Sequence, residues 1–154
     1  MFYKKLSEHT MNPELVSNEH SVGQNCFHLT WTPKYRYPVA VRDSTKRLIA
    51  EAIRRAAARH AIRVVELRVL DDHVHCFVHI PPTTSVSSCV QLLKGSSSYD
   101  YRRWQNLCRY KALWSRGYFY RSVGAVTGAV VENYIRNSQG KHAYWKQQTL
   151  SVEG

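Results

Sequence analysis

The chain has 154 residues, of which 44% are hydrophobic and 21% are charged. This length and composition fit one globular domain with its own core and exclude a largely disordered chain. The 22 Lys and Arg residues outnumber the 11 Asp and Glu residues, which gives a formal net charge of +11. Such a surplus predicts a polyanionic partner such as nucleic acid, because cations that neutralise phosphates release counterions.

The sequence lacks the marks of membrane insertion and of cysteine cross-linking. It contains no run of about 18 apolar residues, so we expect no membrane partner. The first 20 residues lack the continuous apolar stretch of a signal peptide, which leads us to expect a cytoplasmic protein. The cysteines at positions 26, 76, 89 and 108 form no CxxC pair, so we expect buried free thiols rather than a zinc cluster or disulfides.

Hydrophobic patterning predicts four strands and three helices. Residues 1–22 are polar and aperiodic and are interpreted as an N-terminal extension. Alternating or β-branched segments predict strands at 24–32, 62–70, 73–80 and 118–123. Apolar residues at helical spacing predict a helix over 43–60, capped by Asp43 or Ser44, and a last helix over 125–137. A second helix is predicted to start from Thr84 or Ser85 and to break or bend at Gly95.

The predicted order, β-α-β-β-α-β-α, indicates an α+β fold. The simplest packing is a ferredoxin-like or RRM-like antiparallel sheet with helices on one face, which leaves the other face open for a ligand. RNA-binding modules and many enzymes share this architecture, so the fold alone does not decide the function.

The third strand, HVHCFVHI, carries the most informative pattern. Its apolar face should meet the helices, and its other face carries His73, His75, Phe77 and His79. Because residues two apart on a strand lie roughly 6 to 7 Å apart, the imidazoles of His73 and His75 could share one metal ion. His28 on the first strand should lie nearby. The alternative is that these are ordinary histidines on a polar sheet face.

The last predicted helix contains Tyr134, which the residues alone would allow to be a packing residue or a nucleophile. Attack of a phenolate on a DNA phosphodiester would leave a covalent phosphotyrosine and a free 3′-hydroxyl. The bond energy is conserved in that step, so no nucleotide cofactor is expected. The absence of a GxxxxGK[ST] loop agrees with this expectation.

Several motifs together resemble a known family. The segment DDHVHCFVHIPP resembles the HUH signature strand of single-tyrosine transposases, the TnpA type of the insertion-sequence 200/605 group. The segments WTPKYRYPV, SVSSCVQLLKGSSSYDYR and LWSRGYFYRSVGAVTGAVVENYIRNSQ resemble further parts of that family in the same order. The resemblance spans roughly residues 25 to 140, and it implies an HUH transposase domain over 23–142 followed by a tail over 143–154.

The resemblance implies that His73 and His75 bind a divalent metal, Mg²⁺ or Mn²⁺, and that Tyr134 on a C-terminal helix is the nucleophile. The family's usual third ligand is a glutamine four residues after the tyrosine, but this sequence has Ser138 there and Gln139 one residue later. On a helix, that shift moves the side chain from about 40° to about 140° around from the tyrosine. Gly140 can end the helix, so Gln139 is favoured as the ligand. The alternatives are a weakened or inactive site or a substitute ligand from Ser138, Asn137 or His142.

The resemblance also implies a homodimer that cuts and rejoins single-stranded DNA near hairpins. Basic and aromatic side chains are the expected DNA contacts, namely Lys34, Tyr35, Arg36, Lys94, Arg102, Arg103 and Arg116, with Tyr37 and Trp114 as further stacking candidates. Three rival interpretations remain open: a non-catalytic single-stranded nucleic-acid binding module, a metal-dependent hydrolase that uses water, and a domesticated relative that acts on host repeats.

Overall fold

The computed structural model describes residues 16–107 and 112–124. Within these residues the chain forms β1 (Val16–Asn18), β2 (Ser21–Gly23), β3 (Cys26–Trp31), α1 (Asp43–Arg59), β4 (Arg63–Val69), β5 (Val74–His79), α2 (Val86–Trp104) and β6 (Phe119–Val123). A 3-10 turn, Lys34–Arg36, lies between β3 and α1. The predicted last helix over 125–137, which contains Tyr134, lies outside the described residues, as do Gln139 and Cys108.

The main sheet has four strands in the order β4-β5-β3-β6, and each neighbouring pair is antiparallel. The outer strands β4 and β6 therefore flank a central pair in which β3 lies beside β5. This order and the two helices confirm the predicted α+β, ferredoxin-like fold. In addition, β1 and β2 pair as a separate hairpin within a segment that was expected to be aperiodic.

The main core lies between the sheet and the two helices. The strands β3 and β5 contribute side chains that alternate along each strand, as the sequence predicts. Their partners come from the buried faces of α1 and α2, and the core includes Leu29, Trp31, Val74, Cys76, Val78, Ile49, Ile53, Ala56, Val90 and Leu93. Cys26, Cys76 and Cys89 are buried free thiols, as expected. No helix in the described part of the chain is long and apolar enough to cross a membrane.

A β-bulge in β4 determines which of its side chains reach the core. Val64 pairs with Val78 and Glu66 pairs with Phe77, which is the residue next to Val78 on the partner strand. Val65 is therefore an extra residue that has no pairing partner on β5. The bulge lets Val64 and Leu67 both pack against the main core. It also places Glu66 on the same sheet face as Phe77.

The helix boundaries differ from the predictions in two places. Helix α1 begins at Asp43, and its N-cap position is Arg42, which makes no side-chain cap hydrogen bond. Capping by Asp43 or Ser44 was therefore wrong, although the Asp43 carboxylate still complements the positive end of the helix. The Ser85 hydroxyl does cap α2, because it accepts a hydrogen bond from the Ser88 backbone N–H at 3.1 Å.

Helix α2 continues through Gly95 to Trp104, so the predicted break at Gly95 was wrong. A glycine inside a helix costs only about 1 kcal/mol relative to alanine. The burial of Leu93, Ser97 and Tyr101 along the same helix outweighs that cost.

Helix α2 also holds the segment that leads into β6. The Trp114 indole Nε1 donates to the Ser97 hydroxyl at 2.9 Å, and the Leu113 backbone N–H donates to the Ser98 hydroxyl at 3.0 Å. Trp114 packs edge to face on Trp31, with ring centroids 6.0 Å apart. These contacts fix the segment against the core before the chain enters the edge strand.

We predict that Gly95→Ala stabilises the protein. A Cβ atom built on Gly95 would meet no other atom within 4 Å, and alanine loses less conformational entropy in a helix. The expected gain is about 0.5–1 kcal/mol in the free energy of unfolding, measured by urea denaturation. A clear loss of stability would contradict the described helix.

We predict that Ser97→Ala destabilises the protein by about 1–3 kcal/mol, because it leaves the buried Trp114 N–H without its acceptor. Ser96→Ala is the matched control, since Ser96 makes only a 3.4 Å contact with His60. Urea denaturation of both variants checks the difference. Equal losses in the two variants would refute the role given to the Ser97 hydroxyl.

Candidate active site

Three histidine side chains meet on one face of the central strands. His73 immediately precedes β5, His75 lies within it, and His28 lies on β3. The His73 and His75 ring centroids are 4.9 Å apart, with an angle of 82° between the ring planes. The His28 and His75 rings are stacked, with centroids 5.2 Å apart. The structure therefore brings the predicted pair together and places His28 beside it, as the sequence predicts.

This face of β5 is buried, whereas the sequence predicted an open face. The exposed fraction is 3% for His75 and for Phe77 and 8% for His79. Phe77 packs with Cys26, Val123 and Val65 from the other three strands of the sheet. His75 contacts His28 and Thr30 of β3. Contacts with side chains of the neighbouring strands thus accompany the burial of this face of β5, whereas the edge strand β6 is mostly exposed.

Burial sets the protonation state of two of the histidines. Burial lowers the pKa of His75 to about 3, and repulsion from Arg68 and from the protonated forms of His28 and His73 acts in the same direction. Burial also lowers the pKa of His28 to about 4, with a smaller contribution from Arg121. Both imidazoles are therefore neutral near pH 7, and the neutral ring is the form that binds metal ions.

The Nδ1 atoms of the predicted metal ligands contact other side chains. His75 Nδ1 lies 3.0 Å from His28 Nε2 and 3.1 Å from the Thr30 hydroxyl oxygen. His73 Nδ1 lies 2.6 Å from a carboxylate oxygen of Asp72. In both rings Nδ1 contacts another side chain, and such contacts fix the orientation of the ring. Histidines that bind metal usually have a partner of this kind on the nitrogen that does not bind the ion.

Asp72 connects His73 to the loop after β3. Its second carboxylate oxygen lies 3.4 Å from Arg36 Nε. Burial raises the pKa of Asp72, but the hydrogen bond with His73 and the charges of His73 and Arg36 outweigh it and lower the pKa. Asp72 was predicted only as part of a turn. A carboxylate directly before an HxH pair was the signal that could have indicated more.

The donor set of the described residues fits a divalent metal ion in part. Neutral imidazoles suit Mn²⁺ and similar ions, and oxygen ligands would suit Mg²⁺. Over residues 16–107 and 112–124, no group of three His, Cys, Asp or Glu side chains is placed to hold a metal. Among these residues the predicted ligands are His73 and His75 alone, and the predicted third ligand, Gln139, lies outside the described residues.

Three of the predicted DNA contacts lie in the turn after β3, close to this site. Lys34, Tyr35 and Arg36 are exposed, and the exposed fraction of Tyr35 is 72%. Tyr35 and Arg36 have positive φ angles of 59° and 57°, a backbone conformation that costs energy in residues other than glycine. The Tyr35 and Tyr37 rings lie 5.7 Å apart. The turn therefore presents two aromatic rings and two basic groups beside Asp72 and His73.

The remaining predicted DNA contacts are dispersed. Lys94 is half-buried and its ammonium donates to the backbone carbonyls of Arg116 at 3.1 Å and Gly117 at 2.9 Å. Arg102 Nε donates to the Ser98 carbonyl at 3.1 Å. Arg103 lines a groove between the helices, and Arg116 is exposed in the segment before β6.

Trp114 cannot serve as the proposed stacking residue. Its exposed fraction is 6%, and its indole N–H is bound to the Ser97 hydroxyl. The prediction failed because a tryptophan in a basic, polar stretch resembles a surface residue in sequence. In the structure its ring completes the main core beside Trp31.

Solved structures resemble this fold. A crystal structure of a candidate transposase from Deinococcus radiodurans R1 has a TM-score of 0.65 at 24% identity, covering 82% of this chain and all of that one. The structure of a REP-associated tyrosine transposase bound to a REP hairpin has a TM-score of 0.58 at 15% identity, covering 85% and 76% of the two chains. At these identities the likeness establishes the fold alone.

Sequence comparisons establish more than the fold. The chain is 31% identical over 135 residues to the transposase for insertion sequence element IS200 of Salmonella typhimurium, covering 84% of this chain and 88% of that protein. It is 29% identical over 119 residues to the ISDra2 transposase TnpA of Deinococcus radiodurans, covering 75% and 84%. The family model described as "Transposase IS200 like" matches residues 21–138. Because that match covers most of the chain and includes His73 and His75, the chain belongs to the IS200-like transposase family.

Proposed function

We propose that this chain is a metal-dependent single-strand DNA transposase that uses Tyr134 as its nucleophile. Membership of the IS200-like family establishes the coarser statement, that the chain is a DNA-processing transposase. The observation that carries the finer proposal is the pair of His73 and His75, whose rings lie 4.9 Å apart at the start of the central strand β5. Such a pair is suited to a catalytic cation rather than to base stacking.

His73 and His75 would hold a divalent ion, Mg²⁺ or Mn²⁺, together with Gln139 as the third ligand. Ser138, Asn137 or His142 would be the substitutes if Gln139 does not reach the site. When bound, the ion would polarise the scissile phosphate and assist the departure of the 3′-oxygen. The buried, neutral state of His75 supports this role, because a protonated imidazole could not bind the ion.

In the proposed reaction the phenolate oxygen of Tyr134 attacks the phosphorus of a phosphodiester. A bond forms between that oxygen and phosphorus, the bond from phosphorus to the 3′-oxygen breaks, and the 3′-oxygen takes up a proton. The strand beyond the cut stays attached to Tyr134 through its 5′-phosphate. Attack by another 3′-hydroxyl reverses the step and releases the tyrosine, so no nucleotide cofactor is needed.

Single-stranded DNA is the proposed substrate, and the turn after β3 is the best supported contact surface. Unpaired bases can stack on Tyr35 and Tyr37, whose exposed fractions are 72% and 63%. Lys34 and Arg36 supply positive charge beside the same rings. Lys94, Arg102, Arg103 and Arg116 remain proposed DNA contacts, although the carbonyls bound by Lys94 suggest that it also holds the backbone in place.

We further propose that the DNA carries hairpins and that the enzyme acts as a homodimer. The tyrosine transposase whose structure resembles this fold was solved bound to a REP hairpin, which supports a hairpin substrate. In a dimer, the segment that carries Tyr134 could complete the site of either protomer. A domesticated relative would use the same chemistry on host repeats, and a non-catalytic binder would use none of it.

We predict a covalent adduct when the protein is incubated with Mn²⁺ and single strands taken from the flanks of its own gene. A strand labelled at its 3′ end should migrate with the protein on a denaturing gel, because the strand beyond the cut keeps the 5′-phosphate. A strand labelled at its 5′ end should be shortened but not attached. Tyr134→Phe should abolish the adduct by removing the nucleophile, and Tyr99→Phe, at an exposed tyrosine of α2, is the matched control.

Each other result of this experiment identifies a rival. Cleavage without an adduct in the wild type would indicate a hydrolase, and binding without cleavage would indicate a non-catalytic module. Loss of the adduct in Tyr99→Phe as well would contradict the assignment of Tyr134. A parallel incubation with host repeat sequences tests the last rival, since cleavage of those repeats but not of the gene's own flanks would favour the domesticated relative.

We predict that Gln139→Ala weakens Mn²⁺ binding by more than about tenfold, since it removes an oxygen ligand. Titration against the EPR signal of free Mn²⁺ measures the affinity without any reaction. Gln148→Ala, in the predicted tail, is the matched control. Unchanged affinity in Gln139→Ala would exclude Gln139, and the same titration of Ser138→Ala, Asn137→Ala and His142→Ala would identify a substitute.

A further inference from the structure

We propose that Asp72 is a positioning residue that fixes the ring of His73 for metal binding, and that Arg36 in turn holds Asp72. The inference rests on the proposed metal site, but it concerns residues to which the family assignment gives no role. It is carried by the chain of contacts that runs from the turn after β3, through the carboxylate of Asp72, to the imidazole of His73.

The contact between Asp72 and His73 selects one form of the imidazole. The Asp72 oxygen lies 2.6 Å from His73 Nδ1, and an ionised carboxylate can only accept a hydrogen bond. Nδ1 must therefore carry the proton. The lone pair of the neutral ring is then on Nε2, the nitrogen on the far side of the ring from Asp72, and this is the atom that could bind a cation.

A second contact limits the movement of the carboxylate itself. Arg36 Nε lies 3.4 Å from the other oxygen of Asp72, so the two oxygens face different partners. The backbone of Arg36 lies in the left-handed region, with φ of 57°, and this conformation sets the direction in which the side chain leaves the backbone. The turn proposed to bind DNA is thereby linked to a proposed metal ligand through a single carboxylate.

The neighbouring Asp71 provides an internal comparison. Asp71 and Asp72 are adjacent in the same turn, but an Asp71 oxygen lies 2.9 Å from Lys46 Nζ on α1. The Asp71 side chain is 55% exposed, against 32% for Asp72. Removing either carboxylate changes the net charge equally, so only a specific role of Asp72 would separate the two variants.

The experiment compares Asp72→Ala with Asp71→Ala by Mn²⁺ titration of the full-length protein, followed through the EPR signal of free Mn²⁺. We expect Asp72→Ala to weaken binding about 10–100-fold, which is typical when a carboxylate behind a metal-bound histidine is lost. Asp71→Ala should leave the affinity at the wild-type level. Arg36→Gln should weaken binding less than Asp72→Ala, because the carboxylate keeps its contact with His73.

A second measurement needs no metal and reads out the wild type, and it uses a variant only to assign one signal. Ring ¹⁵N chemical shifts of the metal-free wild type, with the His73 signal assigned by its loss in His73→Gln, report which nitrogen carries the proton. We expect the proton on Nδ1 of His73. A proton on Nε2 would overturn the proposal, and so would equal Mn²⁺ affinity in Asp72→Ala and Asp71→Ala.

The two measurements also separate this inference from the proposed function. If the wild type binds Mn²⁺ through His73 and His75 but Asp72→Ala binds it equally well, only the positioning role is wrong. If the wild type binds no Mn²⁺ that depends on His73 and His75, the metal site itself is wrong and the role of Asp72 is overturned with it.

Discussion

The strand β5 lies between β4 and β3 in the main sheet, and all six of its residues are buried, so both of its faces are shielded from water. On one face Val74, Cys76 and Val78 complete the main core, as expected for a strand under two helices. On the other face the same burial removes His75 from water and holds it neutral. An imidazole that cannot take up a proton at neutral pH is available to a cation, so the fold that stabilises the protein also prepares the proposed ligand.

The turn between β4 and β5 joins this site to the surface of the molecule. Asp71 is directed to Lys46 on α1, whereas Asp72 lies between His73 and Arg36. A phosphate that approached Arg36 would therefore arrive beside the carboxylate that contacts a proposed metal ligand. This arrangement would connect the proposed DNA-binding turn with the proposed metal site.

Much of the fold and of the candidate site could be predicted from the sequence, and each prediction that failed has an identifiable physical cause. The alternation in HVHCFVHI was enough to separate the core face from the histidine face, because a strand has only two faces. The bulge at Val65 could not be predicted, since IRVVELRVL has apolar residues at both odd and even positions and only the pairing with β5 decides which of them face the core. His75 is buried against side chains of another strand, His28 and Thr30 of β3, which the pattern of a single strand does not include. The roles of Tyr134 and Gln139 remain predictions, because they lie outside the described residues.

The central claim is that His73 and His75 share one cation. The most direct test is a crystal structure of the protein grown with Mn²⁺, with diffraction recorded on both sides of the manganese absorption edge. The account predicts one anomalous peak within bonding distance of a ring nitrogen of both His73 and His75, with Nε2 as the contact from His73. A peak that contacts only one of the two rings, or that reaches His73 through Nδ1, would contradict it.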